Sequence, residues 1–284
     1  MQTKELTLEE VKKLELELLL FIDKICKEHH IPYYLSSGTL LGAVKYQGFI
    51  PWDDDIDIIL LRPDYMKLMK VLKEPCGDYR LLSIYHQKDY YYPFAKLVHT
   101  KTVLKENAKP IKNMGVYIDI VPMDGYYSKN IIKQTKKYKF IKNMAVRRFR
   151  IQNCIRGNFE YMKEKPIKYR KVKDIIYQVI DIISIPMGYT FWVKLLDKKI
   201  SKVHVSSAKY LGVRTGNFGM KEAFLREDII EQDTYQFEGH FFTSFKNYNL
   251  YLTQKYGNYQ KNPKKEEQIT HHQFHAYWKD GNNG

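Results

Sequence analysis

Four carboxylates fall within five positions, at Asp53, Asp54, Asp55 and Asp57, and the run passes straight into Ile58-Ile59-Leu60-Leu61. Charges of one sign this close repel one another unless cations compensate them. The apolar residues behind them demand burial, so the chain has to bring the end of an acidic run to the edge of a core. Asp55 to Leu61 is therefore expected to be a buried strand, with Asp55 and Asp57 on one face and Ile56 and Ile58 on the other. Asp53, two residues earlier, can share the acidic face. Carboxylates at this spacing can hold one Mg²⁺, or bridge a pair, through hard oxygen ligands. A solvated acidic loop or a Ca²⁺ site would also explain the run, although an EF-hand is excluded because its Gly and Glu are absent at the right offsets. Direct continuity with a buried strand favours the metal.

The flanking text mixes helices and strands. Thr7 and Glu10 form a capping-box pattern ahead of Leu8, Val11, Leu14, Leu18, Phe21, Ile22 and Ile25 at helical spacing, and Pro32 closes that helix. Tyr33 to Leu35 reads as a short strand, Thr39 to Lys45 as a short helix, and Pro63 suits the first turn of another helix. Arg80 to His86, Phe94 to His99 and Val116 to Val121 are further strand candidates, the last ended by a turn at Pro122-Met123-Asp124-Gly125. Strand-like and turn-like text at Tyr210 to Val213 and Phe237 to Phe242 and a helix from Tyr248 to Tyr256 follow later. The fold class is α+β. Its expected parts are a catalytic core over 1–128, a basic helical insertion over 129–204, and a C-terminal part over 205–284 that completes the core.

Charge is distributed unevenly. The formal net charge is +15, yet Lys129 to Lys173 holds 16 Lys/Arg against Glu160 and Glu164, while the remaining 239 residues hold 31 basic and 30 acidic side chains. Such a block can bind nucleic acid, an anionic membrane or a polyanionic substrate, or can simply be a solvated helical face. No nucleic acid is expected, because single-stranded recognition modules are absent and the rest of the chain is near neutral. Ile175 to Val193 is apolar but interrupted by Asp181 and Pro186, which suits lying on a bilayer better than crossing it. Cys26, Cys76 and Cys154 are far apart and form no CxxC pair, so a reducing compartment fits. The polar, acidic opening MQTKELTLEE is not expected to act as a secretory signal. These features point to a cytoplasmic chain, peripheral at the inner face of a membrane.

Two segments extend the acidic motif. Leu35-Ser36-Ser37-Gly38-Thr39 leads from a strand into a helix and offers hydroxyls and free backbone N–H groups to an anion. Tyr117-Ile118-Asp119-Ile120 puts one carboxylate inside an apolar strand, which is costly unless it is paired or binds metal. Lys96, also in an apolar strand pattern, needs either an acidic partner or a substrate phosphate. Arg62 follows the acidic strand directly and is either a phosphate ligand or a surface residue. Trp52 precedes the acids and could lie over a quaternary ammonium, or could pack the loop.

This order of segments resembles the nucleotidyltransferase superfamily of polymerase-β type. The longer strings are similar to the LicD family of phosphocholine transferases and fukutin-related proteins. They are Ser37 to Lys45, Gly48 to Ile58, Arg62 to Tyr65, Tyr92 to Leu97, Tyr117 to Gly125 and Lys246 to Tyr259, with the late His271-His272. Asn258 stands where an Asp is commoner, and Lys261-Asn262-Pro263 is more basic than the expected Leu-Pro-Pro. The resemblance implies a nucleotidyltransferase-like mixed sheet flanked by helices and a Mg²⁺-dependent reaction, with Mn²⁺ as the alternative ion. It implies CDP-choline as donor, a cell-envelope glycan (teichoic acid or lipopolysaccharide type) or a lipid-linked oligosaccharide as acceptor, and release of CMP. Asp55 and Asp57 would hold the metal with Asp53 as helper. Asp119 would complete that site or take the acceptor's proton. Ser37 and Gly38 would hold donor phosphate oxygens, with Lys96 stabilising the leaving CMP and Arg62 and Trp52 also on the donor side. A CDP-ribitol or CDP-glycerol donor, giving a polyol-phosphate transferase, is the nearest rival. A metal-binding scaffold without turnover is another.

Overall fold

The computed structural model describes residues 5–106, 111–126, 140–145, 187–216, 219–268 and 274–279. Helix α1 (Leu8–Glu28) starts where the capping box places it: Thr7 Oγ1 accepts from the Glu10 N–H at 3.2 Å, and Glu10 Oε2 accepts from the Thr7 N–H at 2.7 Å. Its apolar stripe, including Leu14, Leu18, Ile22 and Ile25, is buried in the structure. Strand β1 (Tyr34–Leu35) leads into α2 (Ser37–Tyr46), then come β2 (Asp57–Leu61), α3 (Arg62–Val71), β3 (Tyr79–Leu82), β4 (Ala95–His99), β5 (Thr102–Glu106) and β6 (Tyr117–Tyr126). Later come α4 (Tyr189–Ile200), β7 (Tyr210–Gly212), β8 (Ala223–Leu225), α5 (Arg226–Ile229), β9 (Gln232–Phe237), β10 (His240–Phe245), α6 (Tyr248–Tyr256) and β11 (Phe274–Trp278).

Nine strands form one mixed sheet, β3-β4-β6-β2-β1-β10-β9, with β7 and β8 continuing from the far end of β6; β5 and β11 form a separate pair. The class is α+β, a mixed sheet with helices packed on it. The centre of the sheet is the parallel pair β2/β6, flanked by β1 antiparallel to β2 and β4 antiparallel to β6. Ile56, Ile58, Leu60, Ile118 and Ile120 are fully buried there. Strands from both halves of the chain share the sheet, since β10, from residues beyond 239, pairs in parallel with β1.

Four sequence expectations change, the simplest being the strand expected over Arg80 to His86, which covers Tyr79–Leu82 and gives way to a turn at Ile84 to His86. The acidic strand begins at Asp57, not at Asp55, so strand alternation does not govern Asp53 to Asp55, which lie in the preceding loop. Strand β6 does not stop at Pro122 but runs on to Tyr126. The Asp119 N–H donates to Ile56 on the β2 side, so by alternation the missing N–H of Pro122 faces the opposite side, between the end of β4 pairing at Ile120 and the start of β7 pairing at Asp124. The ladder therefore loses no bond. Finally, the strand-like and turn-like text at Phe237 to Phe242 resolves into the hairpin between β9 and β10, turned at Glu238 and Gly239, whose φ values of 50° and 77° are both left-handed. The Ile175 to Val193 interface helix falls mostly outside the described residues, as does most of the 129–204 insertion and His271-His272. The described end, α4, buries Tyr189, Val193, Leu196 and Ile200 in the protein.

Arg62 ties these layers together. At the start of α3 its Nε and Nη2 donate to the two oxygens of Asp124 on β6, both at 2.7 Å, and its Nη1 reaches Asp197 on α4 at 2.9 Å. Tyr85 donates its hydroxyl to Asp197 as well. All three charged groups are buried. Removing the guanidinium strands two buried carboxylates, so Arg62→Ala should lower stability by about 3–5 kcal/mol, read as a fall in the urea midpoint. A loss below ~1 kcal/mol would show that the pair is not the link between α3, β6 and α4.

Candidate active site

The register of the central strands builds the site. Asp57 on β2 lies directly across from Asp119 on β6, and Asp119 lies across from Lys96 on β4. Paired positions in a sheet project to the same face, so the three charged side chains form a row across three strands. Lys96 Nζ contacts Asp119 Oδ1 at 2.6 Å and lies 3.4 Å from the ring centre of Tyr117. Burial pushes the Asp57 carboxyl up to about 6, and the neighbouring Asp119 charge is the next cause.

The β1–α2 turn closes the near side of this row. Ser36 caps α2 with no side-chain bond into the helix, and its buried hydroxyl has no hydrogen-bond partner among the described residues. Ser37 sits at φ 51°, a left-handed conformation that a non-glycine residue keeps only when its surroundings hold it. Thr39 Oγ1 accepts from the Asp57 N–H at 2.8 Å, locking α2 to β2. At Gly38 a Cβ would come within 2.3 Å of Asp53 Oδ2, so only glycine lets the acidic loop pack against the turn. Asp53, Asp54 and Asp55 each place one carboxylate oxygen within 4.8 Å of the others.

A cavity of ≈ 560 Å³ opens over the row. Ser36, Ser37, Asp57 and Asp119 line it on the sheet side. Tyr91, Tyr92 and Phe94 form an aromatic wall, with ring centres 4.6 Å apart for Tyr91–Tyr92 and 5.4 Å for Tyr92–Phe94, and Tyr189 of α4 meets Tyr91 edge-on at 5.8 Å. Glu222 and Lys255 enter from the C-terminal part. Lys142, from the described helical stretch 140–145, donates to the carbonyls of Thr215 and Gly216 at the cavity wall.

Among the sequence candidates, Ser37, Asp57 and Asp119 are brought together at the cavity, with Lys96 behind Asp119. Asp53 and Asp55 gather instead with Asp54 in the loop ahead of β2. Gly38 serves the loop's approach and does not line the cavity. Arg62 is not at the cavity; two carboxylates occupy its guanidinium. Nor is Trp52, whose ring packs edge-on against Tyr46 at 6.4 Å. Sequence reasoning assigned no role to Lys255, Glu222 or the aromatic wall. The signal for Lys255 was its spacing, four residues after the buried Tyr251 on α6, which puts a lysine on the buried stripe.

The family model described as LicD/FKTN/FKRP, nucleotidyltransferase domain, matches residues 30–163. Lipopolysaccharide cholinephosphotransferase LicD of Haemophilus influenzae is 28% identical over 280 residues, covering 96% of this chain and 99% of that protein. The chain is similar to the LicD family, over the nucleotidyltransferase domain in the family model and over nearly its whole length in the Haemophilus influenzae protein. An uncharacterised protein of Rickettsia typhi is 32% identical over 142 residues, 49% of this chain and 43% of its own. The mouse ribitol-5-phosphate transferase FKTN is 41% identical over 49 residues, 17% of this chain and 11% of its own. The LicD match contains Ser36–Ser37, Asp57, Lys96 and Asp119, whereas Glu222 and Lys255 lie beyond residue 163.

The Asp57–Asp119 pair fits a divalent cation. Two carboxylates on adjacent strands, one of them with its proton affinity raised by burial and by the other's charge, gain most from a hard dication between them. The sign of the pH effect follows. A carboxyl held near 6 in the folded chain, against its ordinary 3.8, keeps a proton that the unfolded chain has lost, so without cation its contribution to stability declines as pH rises from 3.8 through about 6. A bound Mg²⁺ would replace that proton. Added Mg²⁺ should therefore raise the melting temperature more at about pH 7.5 than at about pH 5, and Asp57→Asn should abolish the difference. Equal shifts at both pH values in the wild type would remove Asp57 from the metal site.

Proposed function

We propose that this phosphotransferase moves phosphocholine from CDP-choline to a sugar hydroxyl of a cell-envelope glycan, of lipopolysaccharide or teichoic acid type, or of its lipid-linked oligosaccharide precursor, and releases CMP. The observation that carries the reading is one cavity that joins a half-buried carboxylate pair to a wall of Tyr91, Tyr92, Phe94 and Tyr189. The acids suit a metal-bound diphosphate, and aromatic faces attract a quaternary ammonium by cation–π interaction. This wall, rather than Trp52, would face the ammonium. The name and near-complete coverage of the Haemophilus influenzae relative support the same choice.

The acceptor oxygen forms a bond to the choline-bearing phosphorus as that phosphorus releases its oxygen to CMP, and the acceptor's proton passes to a carboxylate of the pair. Bound Mg²⁺, or Mn²⁺, would neutralise the diphosphate charge. Asp57 and Asp119 would hold the ion, with Lys96 positioning the Asp119 carboxylate. Positioning and charge neutralisation then supply most of the catalysis. The FKTN similarity supports a polyol-phosphate donor as the second reading.

A donor panel separates them. With Mg²⁺ and a glycan acceptor, CMP release should be fastest from CDP-choline, ahead of CDP-ribitol, CDP-glycerol and CDP-ethanolamine. Asp57→Ala should lower turnover by about 10³-fold or more while the protein stays folded. Tyr92→Leu should raise KM for CDP-choline and leave CDP-ribitol turnover little changed. Preference for a polyol donor by the wild type would replace the choline reading with the second one.

No described helix is long and apolar enough to cross a membrane. Peripheral contact with an anionic membrane at the cytoplasmic face is part of the proposal. Phe191, Lys194 and Lys198 recur at helical spacing along the exposed side of α4, and the exposed Met187 lies just ahead of its first turn. Polybasic attraction is worth ~1 kcal/mol per residue and fades beyond a Debye length of ~8 Å at physiological salt. Co-sedimentation with anionic vesicles should fall steeply as salt rises and weaken in Phe191→Ser. Equal binding to neutral vesicles would rule out the electrostatic contact.

A further inference from the structure

The lysine that the sequence offers to a donor phosphate is already engaged. Lys96 is held 2.6 Å from Asp119 and packed among Tyr117, Tyr92 and Phe94, with 2% of its side chain exposed. Another buried ammonium reaches the cavity from the opposite side. Lys255 of α6 is 4% exposed, donates to Ser37 Oγ at 2.8 Å, and lies 3.3 Å from Glu222 Oε1. Tyr251 and Tyr256 flank it, each ring centre 5.8 Å from Nζ.

We infer that Lys255 is a donor-binding catalytic residue whose ammonium, together with the Ser36–Ser37 turn at the N-terminus of α2, forms a cradle for the diphosphate of the donor. Three observations converge on this role. The first is the turn. A ten-residue helix begins there with no acidic residue in its first turn and no side-chain cap, so its leading N–H groups favour an anion. The Ser36 hydroxyl, 1% exposed and without a hydrogen-bond partner among the described residues, lines the same cavity. A buried hydroxyl left unsatisfied is costly, and a phosphate oxygen would satisfy it.

The second is energetic. A buried ion pair is at best weakly stabilising compared with apolar residues of the same size, so the Lys255–Glu222 pair does not account for itself through stability. Its geometry is tightly set all the same. A Cβ on Gly216 would fall 1.9 Å from Glu222 Oε2, and one on Gly212 would fall 1.9 Å from the Glu222 carbonyl oxygen. Glu222 is thus a positioning residue, boxed in by two glycines, and it holds the ammonium. The third is the Lys255–Ser37 bond. It steadies a serine in a left-handed conformation at the point where the turn meets the cavity. The C-terminal part therefore supplies charge to the site as well as strands to the sheet.

This inference rests on the diphosphate-donor reading above, and a binding probe separates the two. Inorganic pyrophosphate and CDP are titrated calorimetrically into wild type, Lys255→Met, Lys255→Arg and the double variant Lys255→Met/Glu222→Gln. The double variant removes both charges together, so the Glu222 carboxylate is not left buried and unpaired, and its melting temperature should stay closer to that of the wild type than the Lys255→Met variant's. Pyrophosphate affinity should fall about 10- to 100-fold in Lys255→Met and in the double variant, as expected for the loss of a charge-assisted hydrogen bond. Lys255→Arg, which keeps the charge, should recover part of it. With CDP-choline, KM for the donor should rise and kcat should fall in Lys255→Met. Unchanged pyrophosphate affinity in the folded double variant would reduce Lys255 to a structural ion pair and overturn the inference, as would a wild type that binds neither probe. Pyrophosphate binding that depends on Lys255, without turnover of any CDP donor, would sink the transferase reading and leave this one standing.

Discussion

The parallel pairing of β2 with β6 is the constraint on which the rest depends. Its register puts Asp57 beside Asp119, and the antiparallel β4 puts Lys96 beside Asp119 on the other side. A carboxylate row in the middle of a sheet is expensive, because each charge leaves water and the two acids oppose each other. Lys96 offsets part of this for Asp119. Asp57 retains the excess, which raises its proton affinity, and a bound dication would relieve it. The cost of the arrangement and its use are the same electrostatic fact.

Several features follow from keeping that row in place. Thr39 bonds the Asp57 N–H, so the turn before α2 cannot drift from β2. Pro122 is tolerated in β6 because its missing donor faces a gap between two neighbouring strands. Arg62 gathers Asp124 and Asp197, and so fixes α4 over the sheet and with it Tyr189, Val193 and Leu196 in the cavity wall. Buried charge that is fully hydrogen-bonded defines a unique packing even where it contributes little net stability. Here it sets which aromatic residues face the acids.

Much of this was legible from local patterns. The α1 cap, the Arg62–Pro63 helix start and the α6 helix were readable because capping chemistry and helical spacing act within a few residues. Asp57, Asp119 and Ser37 were readable because a carboxylate inside an apolar run, or a Ser-Gly turn between strand and helix, needs a reason. The Glu238-Gly239 turn could not be separated from the strands beside it, because apolar residues on both sides resemble one continuous strand. The partition of the acids was missed. Asp53 to Asp55 follow loop geometry and Asp57 follows strand geometry, and a run of four aspartates does not mark that boundary.

The sequence by itself determined the chemical types at the site, the α+β class and the LicD resemblance, since these depend on residue identity and short spacing. Only the tertiary structure decided which charge meets which. Lys96 and Arg62 look alike along the chain, as buried or half-buried cations beside apolar strands. One lies against Asp119 behind the cavity, and the other is spent on Asp124 and Asp197, 62 and 135 residues away. Lys255 reaches Ser37 across 218 positions. Strand order and register set those partnerships through contacts between distant segments, and no local pattern encodes them.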